Sequence, residues 1–259
     1  MHATGDVLKV WRQFDRFPME TLTKAWYFHQ NPAKKQRDIT LMKEHHAQYR
    51  ITGNCFDLAL WLLHGFKAEG VEAYPIGHDL GTPGAHAAVI AINAKGNRYY
   101  CDLGDQWLEP ILVDRDSEDY AEQLLPGFFP AADVQLKSDN QQVTVIYRRT
   151  NGKSSKQCFN LAPIKLQEFT AAAEISQGTL KKHPLLECRI PYKEETAHWE
   201  FNKWDSFLST REGLFEEPDS KSIEEWCERI HQKTDYDKGF LYDALHIYKE
   251  IKGSEYSPR

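Results

Sequence analysis

Gly53-Asn54-Cys55-Phe56-Asp57 opens the run ITGNCFDLALWLLHGF at residues 51–66, and its reading decides the architecture of the 259-residue chain. From Cys55 to Phe66 the apolar residues recur at helical spacing. Asn54 suits the capping position, and Asp57 falls in the first turn, where the helix dipole favours an acid. Cys55 is thereby predicted at a helix N-terminus. Unpaired backbone N–H groups and the positive end of the dipole stabilise a thiolate there, so its pKa is expected below the ~8.5 of a free cysteine.

A free cysteine before an apolar helix is commonly just a small buried hydrophobe. Two downstream residues turn Cys55 into a candidate nucleophile. His86 opens the apolar strand HAAVIAIN, and Asp102 closes the strand RYYCDLG, so an imidazole and an acid able to orient it follow the thiol. Between these strands, Asn93-Ala94-Lys95-Gly96 has the residues of a type I turn, with Gly96 suited to the left-handed position of a three-residue hairpin loop. Such a loop pairs Asn93 with Asn97. That register puts Asp102 opposite Ala88, diagonal to His86 on one face of the hairpin. A two-residue loop would put the two on opposite faces.

These residues carry a family resemblance. Gly-x-Cys-Phe-acid on a helix, Gly65-Phe66 at its end, a strand opening on His86 and a strand ending Asp102-Leu103-Gly104 resemble the arylamine N-acetyltransferases. Thr21-Leu22 in the segment 18–29, Pro110-Ile111-Leu112 and a final helix from Ser222 are similar in position. The stretch GNCFDLA, with EGVEAYPIG and HAAV after it, also resembles the transglutaminase-like core, which shares a Cys-His-Asp machinery. The chain departs from the acetyltransferase pattern at three places. Ile51 stands where the family has an arginine, Arg50 being one residue earlier, and of two expected glycines only Gly53 remains. The family's Pro-Phe-Glu-Asn run is missing after the second helix. Beyond Gly104, Asp105-Gln106-Trp107 replaces Phe-Gly, and an acid with bulky neighbours suits the approach of a pyrophosphate poorly.

The resemblance implies an α+β protein with an N-terminal helical domain carrying the nucleophile (1–72), a central antiparallel β-barrel or curled sheet carrying His86 and Asp102 (73–165), and an α/β lid (166–259). It implies ping-pong N-acyl transfer, with Cys55 as nucleophile, His86 as base and Asp102 as its orienting acid. The cosubstrate would be acetyl-coenzyme A, another acyl-coenzyme A or an acyl group on a carrier protein, and the acceptor a small amine. Backbone N–H groups at the start of the Cys55 helix would hold the oxyanion. A transglutaminase-like enzyme or thiol hydrolase acting on amides is the alternative, as is a binding protein on the same scaffold, because a triad reveals the class of electrophile and not the donor.

The remainder of the chain bounds these readings. Charged residues at 27% against 41% hydrophobic describe an ordinary globular composition, and a net charge of −6 argues against a general nucleic-acid binder. Five scattered cysteines without metal-ligand spacing fit reduced thiols in the cytoplasm. No apolar run is long enough for a bilayer, and the N-terminus lacks signal-peptide character, so no membrane association is expected. A zinc site from Cys55, His86 and Asp102 is set aside for the thiol triad, and no metal is expected. His78 competes with His86 for the role of base, but only His86 starts the strand paired with that of Asp102.

Other signals receive plainer readings. Residues 6–47 read as helical, with Pro18 at a helix start and Asn31-Pro32 as a break. Lys34, Lys35 and Arg37 are taken as a solvated charge run. The neighbours His45 and His46 point in different directions on a helix and do not chelate together. The loop HDLGTPG at residues 78–84 is read as the rim of the active site. Strands are expected at 134–136, 142–148 and 157–161, a helix at 166–177, a strand pair at 183–191 and 196–201, and helices at 222–233 and 239–252. Trp199, Trp204 and Trp226 are assigned to the core.

Overall fold

A computed structural model describes residues 1–31 and 33–253, with the side chains of residues 252 and 253 excepted. Pro32, half of the predicted helix break, lies outside the described residues, as does residue 254 onward. The fold is α+β, with the elements in the order α1 (Gly5–Trp11), β1 (Met19–Glu20), α2 (Leu22–Phe28), α3 (Ile39–Tyr49), α4 (Cys55–Ala68), β2 (Glu72–His78), β3 (His86–Ile92), β4 (Arg98–Cys101), β5 (Ile111–Leu112), β6 (Leu125–Phe129), β7 (Ala132–Ser138), β8 (Gln142–Arg149), β9 (Ser154–Asn160), α5 (Leu166–Gly178), β10 (Leu185–Tyr192), β11 (Glu195–Asn202), β12 (Asp205–Thr210), β13 (Gly213–Glu216), α6 (Ile223–Thr234) and α7 (Lys238–Gly253).

Helix α4 is central. Asn54 accepts hydrogen bonds from the Phe56 and Asp57 backbone N–H groups, and Asp57 accepts in return from the Asn54 N–H at 3.2 Å, a complete capping box. Gly53 makes that box possible. A Cβ there would sit 2.2 Å from Oδ2 of Asp57, and the residue adopts φ +141°, open to glycine. Phe56, Leu58, Leu62 and Phe66 are fully buried from this helix, each contributing about 2 kcal/mol by removal from water.

The helix packs on an antiparallel sheet in the order β2-β3-β4-β5. The β3–β4 hairpin has the register its turn residues predict: Ile92 pairs with Arg98, the Asn93 N–H donates to the Asn97 carbonyl, and Gly96 takes φ +82°. A second sheet, β6-β7-β8-β9, completes the first core, which also takes Phe169 and Ala173 from α5. The barrel half of the expectation is corrected here, since among the described residues neither sheet closes. Strands β2 and β9 approach, yet this region is joined by Tyr74 Oη to the Leu161 carbonyl and the Ile164 N–H to the Pro75 carbonyl. Pro75 has no N–H to offer a ladder along that edge.

The third sheet runs β1-β10-β11-β12-β13, and its core gathers Trp199 and Phe201 of β11, Trp226 and Ile230 of α6, Leu241 and Leu245 of α7, and Leu22 and Ala25 of α2. Trp204 packs against it, so the three tryptophans belong to core packing. Pro18 does not begin a helix. It precedes β1, which pairs Met19 with Glu187 and Glu20 with Leu186, so a partner more than 160 residues away sets the local structure. Among the described residues no helix is long and apolar enough to cross a membrane.

Candidate active site

Cys55, partly exposed, begins α4, while His86 begins β3 and Asp102 lies just past β4. The hairpin puts the last two side by side: Nε2 of His86 lies 2.8 Å from Oδ2 of Asp102. The thiol of Cys55 lies close enough to the ring to help hold its proton, and Cys55 and His86 line one cavity. Gly104 fills the space between them with backbone alone. A Cβ there would stand 2.7 Å from Cβ of Cys55, 2.8 Å from Cε1 of His86 and 3.1 Å from Oδ1 of Asp102. The Gly of Asp-Leu-Gly is thus a steric condition for the three to meet.

The electrostatics favour a charged imidazole. Burial opposes the imidazolium, but the carboxylates of Asp102 and Asp105, together with hydrogen bonds to Asp102 and Cys55, outweigh it and hold the His86 pKa well above its ordinary value. Asp102 is fully buried and accepts from the Tyr100 hydroxyl at 2.5 Å and the Asp105 backbone N–H at 3.0 Å. Burial, and then the charge of Asp102, push the Tyr100 hydroxyl far up in pKa, so it remains a donor.

Asp105 was not anticipated as part of this cluster. Its Oδ1 lies 3.6 Å from Nε2 of His86, and its Oδ2 accepts from the Tyr147 hydroxyl at 2.8 Å and from Nε2 of Gln157 at 2.6 Å. Burial, then the neighbouring Asp102 charge, raise its pKa to about 6. Part of this cluster had a sequence signal: Tyr100 lies two residues before Asp102 on one strand face, and Asp105 three residues after it around a turn. Tyr147 and Gln157 had none, since they arrive from the β8–β9 hairpin.

His78 pairs directly across β2–β3 with His86, their ring centroids 5.7 Å apart, but its Nδ1 bonds to the exposed Asp79 at 3.0 Å. It therefore holds neither Asp102 nor Cys55. His86, Asp102 and Asp105 each bring a potential metal-ligand atom to within 4.8 Å of the others, a set that excludes Cys55. Every member of it is already engaged by a protein hydrogen bond, an arrangement that suits a held proton.

The loop before α4 rests on a buried polar cluster. Arg37 is buried, with its guanidinium 3.4 Å from Asp57 and donating to the Thr52 carbonyl at 2.5 Å. Gln36 and Gln177 each donate to Asp57 at 2.8 Å. The reading of residues 34–37 as a solvated run fails for Arg37, because long-range pairing with Asp57 offsets the cost of its burial. Lys35 lies over the Phe28 ring at 4.2 Å. Adjacent His45 and His46 do diverge: His45 meets the Trp26 ring edge-on, and His46 stacks on Phe17.

A cavity of about 240 Å³ opens over Cys55 and His86, with Thr82 and Pro83 of the 78–84 loop on its wall. Asn54 occupies the Phe56 and Asp57 N–H groups, so the expectation of several oxyanion donors at the helix start narrows to the N–H of Cys55 itself.

No protein-family model and no curated protein matches the sequence. Solved structures do match its fold over nearly the whole chain. Mycobacterium marinum arylamine N-acetyltransferase in complex with CoA is 10% identical, with 98% of this chain and 95% of that chain covered and a TM-score of 0.72. The Salmonella typhimurium arylamine N-acetyltransferase is 13% identical over 96% of this chain and 100% of that chain, at a TM-score of 0.67. The Nocardia farcinica enzyme is 16% identical over 95% of this chain and 87% of that chain, at 0.69. The chain has the arylamine N-acetyltransferase fold.

Proposed function

We propose that the protein is an N-acyltransferase of the arylamine N-acetyltransferase type, moving an acyl group from a coenzyme A thioester through Cys55 to a small amine. The observation that carries this reading is the imidazole of His86 held between Asp102 and Cys55 at the start of α4, on a fold shared end to end with these transferases. That a structural neighbour is solved with CoA supports a coenzyme A thioester as donor.

In the resting enzyme the thiol proton already sits on His86, and in the first half-reaction the Cys55 thiolate beside that imidazolium attacks the acyl carbonyl. The Cys55 N–H is available to the tetrahedral oxygen, and the departing coenzyme A thiolate recovers the proton from the imidazolium. In the second half-reaction the amine attacks the Cys55 thioester, His86 receives the amine proton, and Cys55 leaves as a thiolate beside the imidazolium. Asp102 fixes the tautomer and stabilises the imidazolium throughout.

Intact-mass measurement after incubation with acetyl-coenzyme A tests the proposal. An acetyl adduct on Cys55, discharged by added arylamine and absent from Cys55→Ala, is the expected result. Amide hydrolysis without any adduct would instead establish a thiol hydrolase.

A further inference from the structure

The cavity over Cys55 contains an ammonium group that the fold does not neutralise. Lys24 of α2 lines it, is half-buried, and has no hydrogen-bond or ion-pair partner among the described residues. Lys181, from the segment between α5 and β10, lines the same cavity and likewise lacks such a partner there. Two acids line the same cavity and both are engaged elsewhere, Asp105 by Tyr147 and Gln157 and Glu187 by His198 at 3.2 Å; Asp57, whose charge also reaches Lys24, is held by Arg37, Gln36, Gln177 and the Asn54 N–H. A cation withdrawn from water without a counterion is costly, and two facing one cavity repel each other.

Resting on the acyl-transfer reading, we propose that Lys24 and Lys181 form an anion subsite, and that a reactant handled at Cys55 carries a carboxylate that lies between them. The state of Lys24 agrees: burial lowers its pKa to about 8, opposed by Cys55 and Asp57 and assisted by the Lys181 charge, and an anion bound beside it would restore the charged form. The phosphates of coenzyme A do not fill this role, because the whole pantetheine arm separates them from the reacting sulfur. The carboxylate therefore belongs either to the acyl group, as in a dicarboxylic half-thioester, or to the acceptor amine.

The test begins with alkylation of Cys55, which requires no acyl transfer and so separates failure of this subsite from failure of the transferase reading. In a Cys158→Ser background, the rate constants with iodoacetate and iodoacetamide are compared, the modified residue being identified by peptide mapping. The iodoacetate-to-iodoacetamide ratio cancels changes in thiol reactivity and reports the anion subsite alone. It is expected to fall about tenfold in Lys24→Met, to persist in Lys24→Arg, and to be unchanged in Lys182→Met, an exposed neighbour. An equal ratio in Lys24→Met and its parent overturns the proposal. Turnover then locates the carboxylate: slower loading from succinyl- but not acetyl-coenzyme A places it on the acyl group. A raised KM for para-aminobenzoate but not para-toluidine, with kcat retained, places it on the acceptor.

Discussion

Asp105 lies 3.6 Å from Nε2 of His86, the same ring nitrogen that Asp102 holds at 2.8 Å. One imidazole therefore faces two carboxylates, and each acid is supported by a different tyrosine, Tyr100 for Asp102 and Tyr147 for Asp105.

The His86 pKa is raised against burial by the charges of Asp102 and Asp105. The imidazolium thus persists above its ordinary pH range and is lost as pH rises through the elevated pKa; its contribution to folding is complete below about 6.5 and disappears over the same interval. Asp105→Asn removes one anion and is expected to lower the His86 pKa by about one pH unit. Titration of isotope-labelled histidine by NMR reads this directly, and an unmoved midpoint would show that Asp102 alone sets the charge.

Gly104→Ala is expected to leave the fold intact and damage the chemistry. The new methyl would stand 2.7 Å from Cβ of Cys55 and 2.8 Å from Cε1 of His86, so sulfur and ring must separate. A misplacement of that kind costs about 100-fold in kcat/KM. Thermal melts run beside the kinetics distinguish this from unfolding, and full activity in the variant would refute the steric reading.

Arg37→Met leaves Asp57 buried without its cation, although Gln36 and Gln177 still donate to it. A loss of about 3 kcal/mol in unfolding free energy is expected, as for breaking a buried pair from one side. Urea denaturation measures it. A loss below about 1 kcal/mol would mean that the amides alone satisfy the carboxylate.

Asn54→Ala removes the acceptor for the Phe56 and Asp57 N–H groups. The expected cost is about 1 kcal/mol, measured in the same denaturation series. Because Cys55 is the adjoining residue, its alkylation rate is expected to change as well, whereas a cap replaced at the other end of α4 should leave that rate alone.

What the sequence determined by itself was everything carried by neighbours along the chain. Asn54 and Asp57 place the start of α4 because a capping box spans four residues, and 93–97 set the β3–β4 register because loop length fixes pairing parity. His86 and Asp102 were brought to one face by that register alone. Tertiary structure decided what depends on surfaces distant in sequence. β10 recruits Met19–Glu20 as a strand where Pro18 suggested a helix. Asp57 draws Arg37 inside, Tyr147 and Gln157 fix Asp105 beside the imidazole, and α2 brings Lys24 to the cavity over Cys55. The difference is physical: caps and turns are settled by backbone hydrogen bonds a few residues apart, while the environment of a charge is made by whichever elements fold against it.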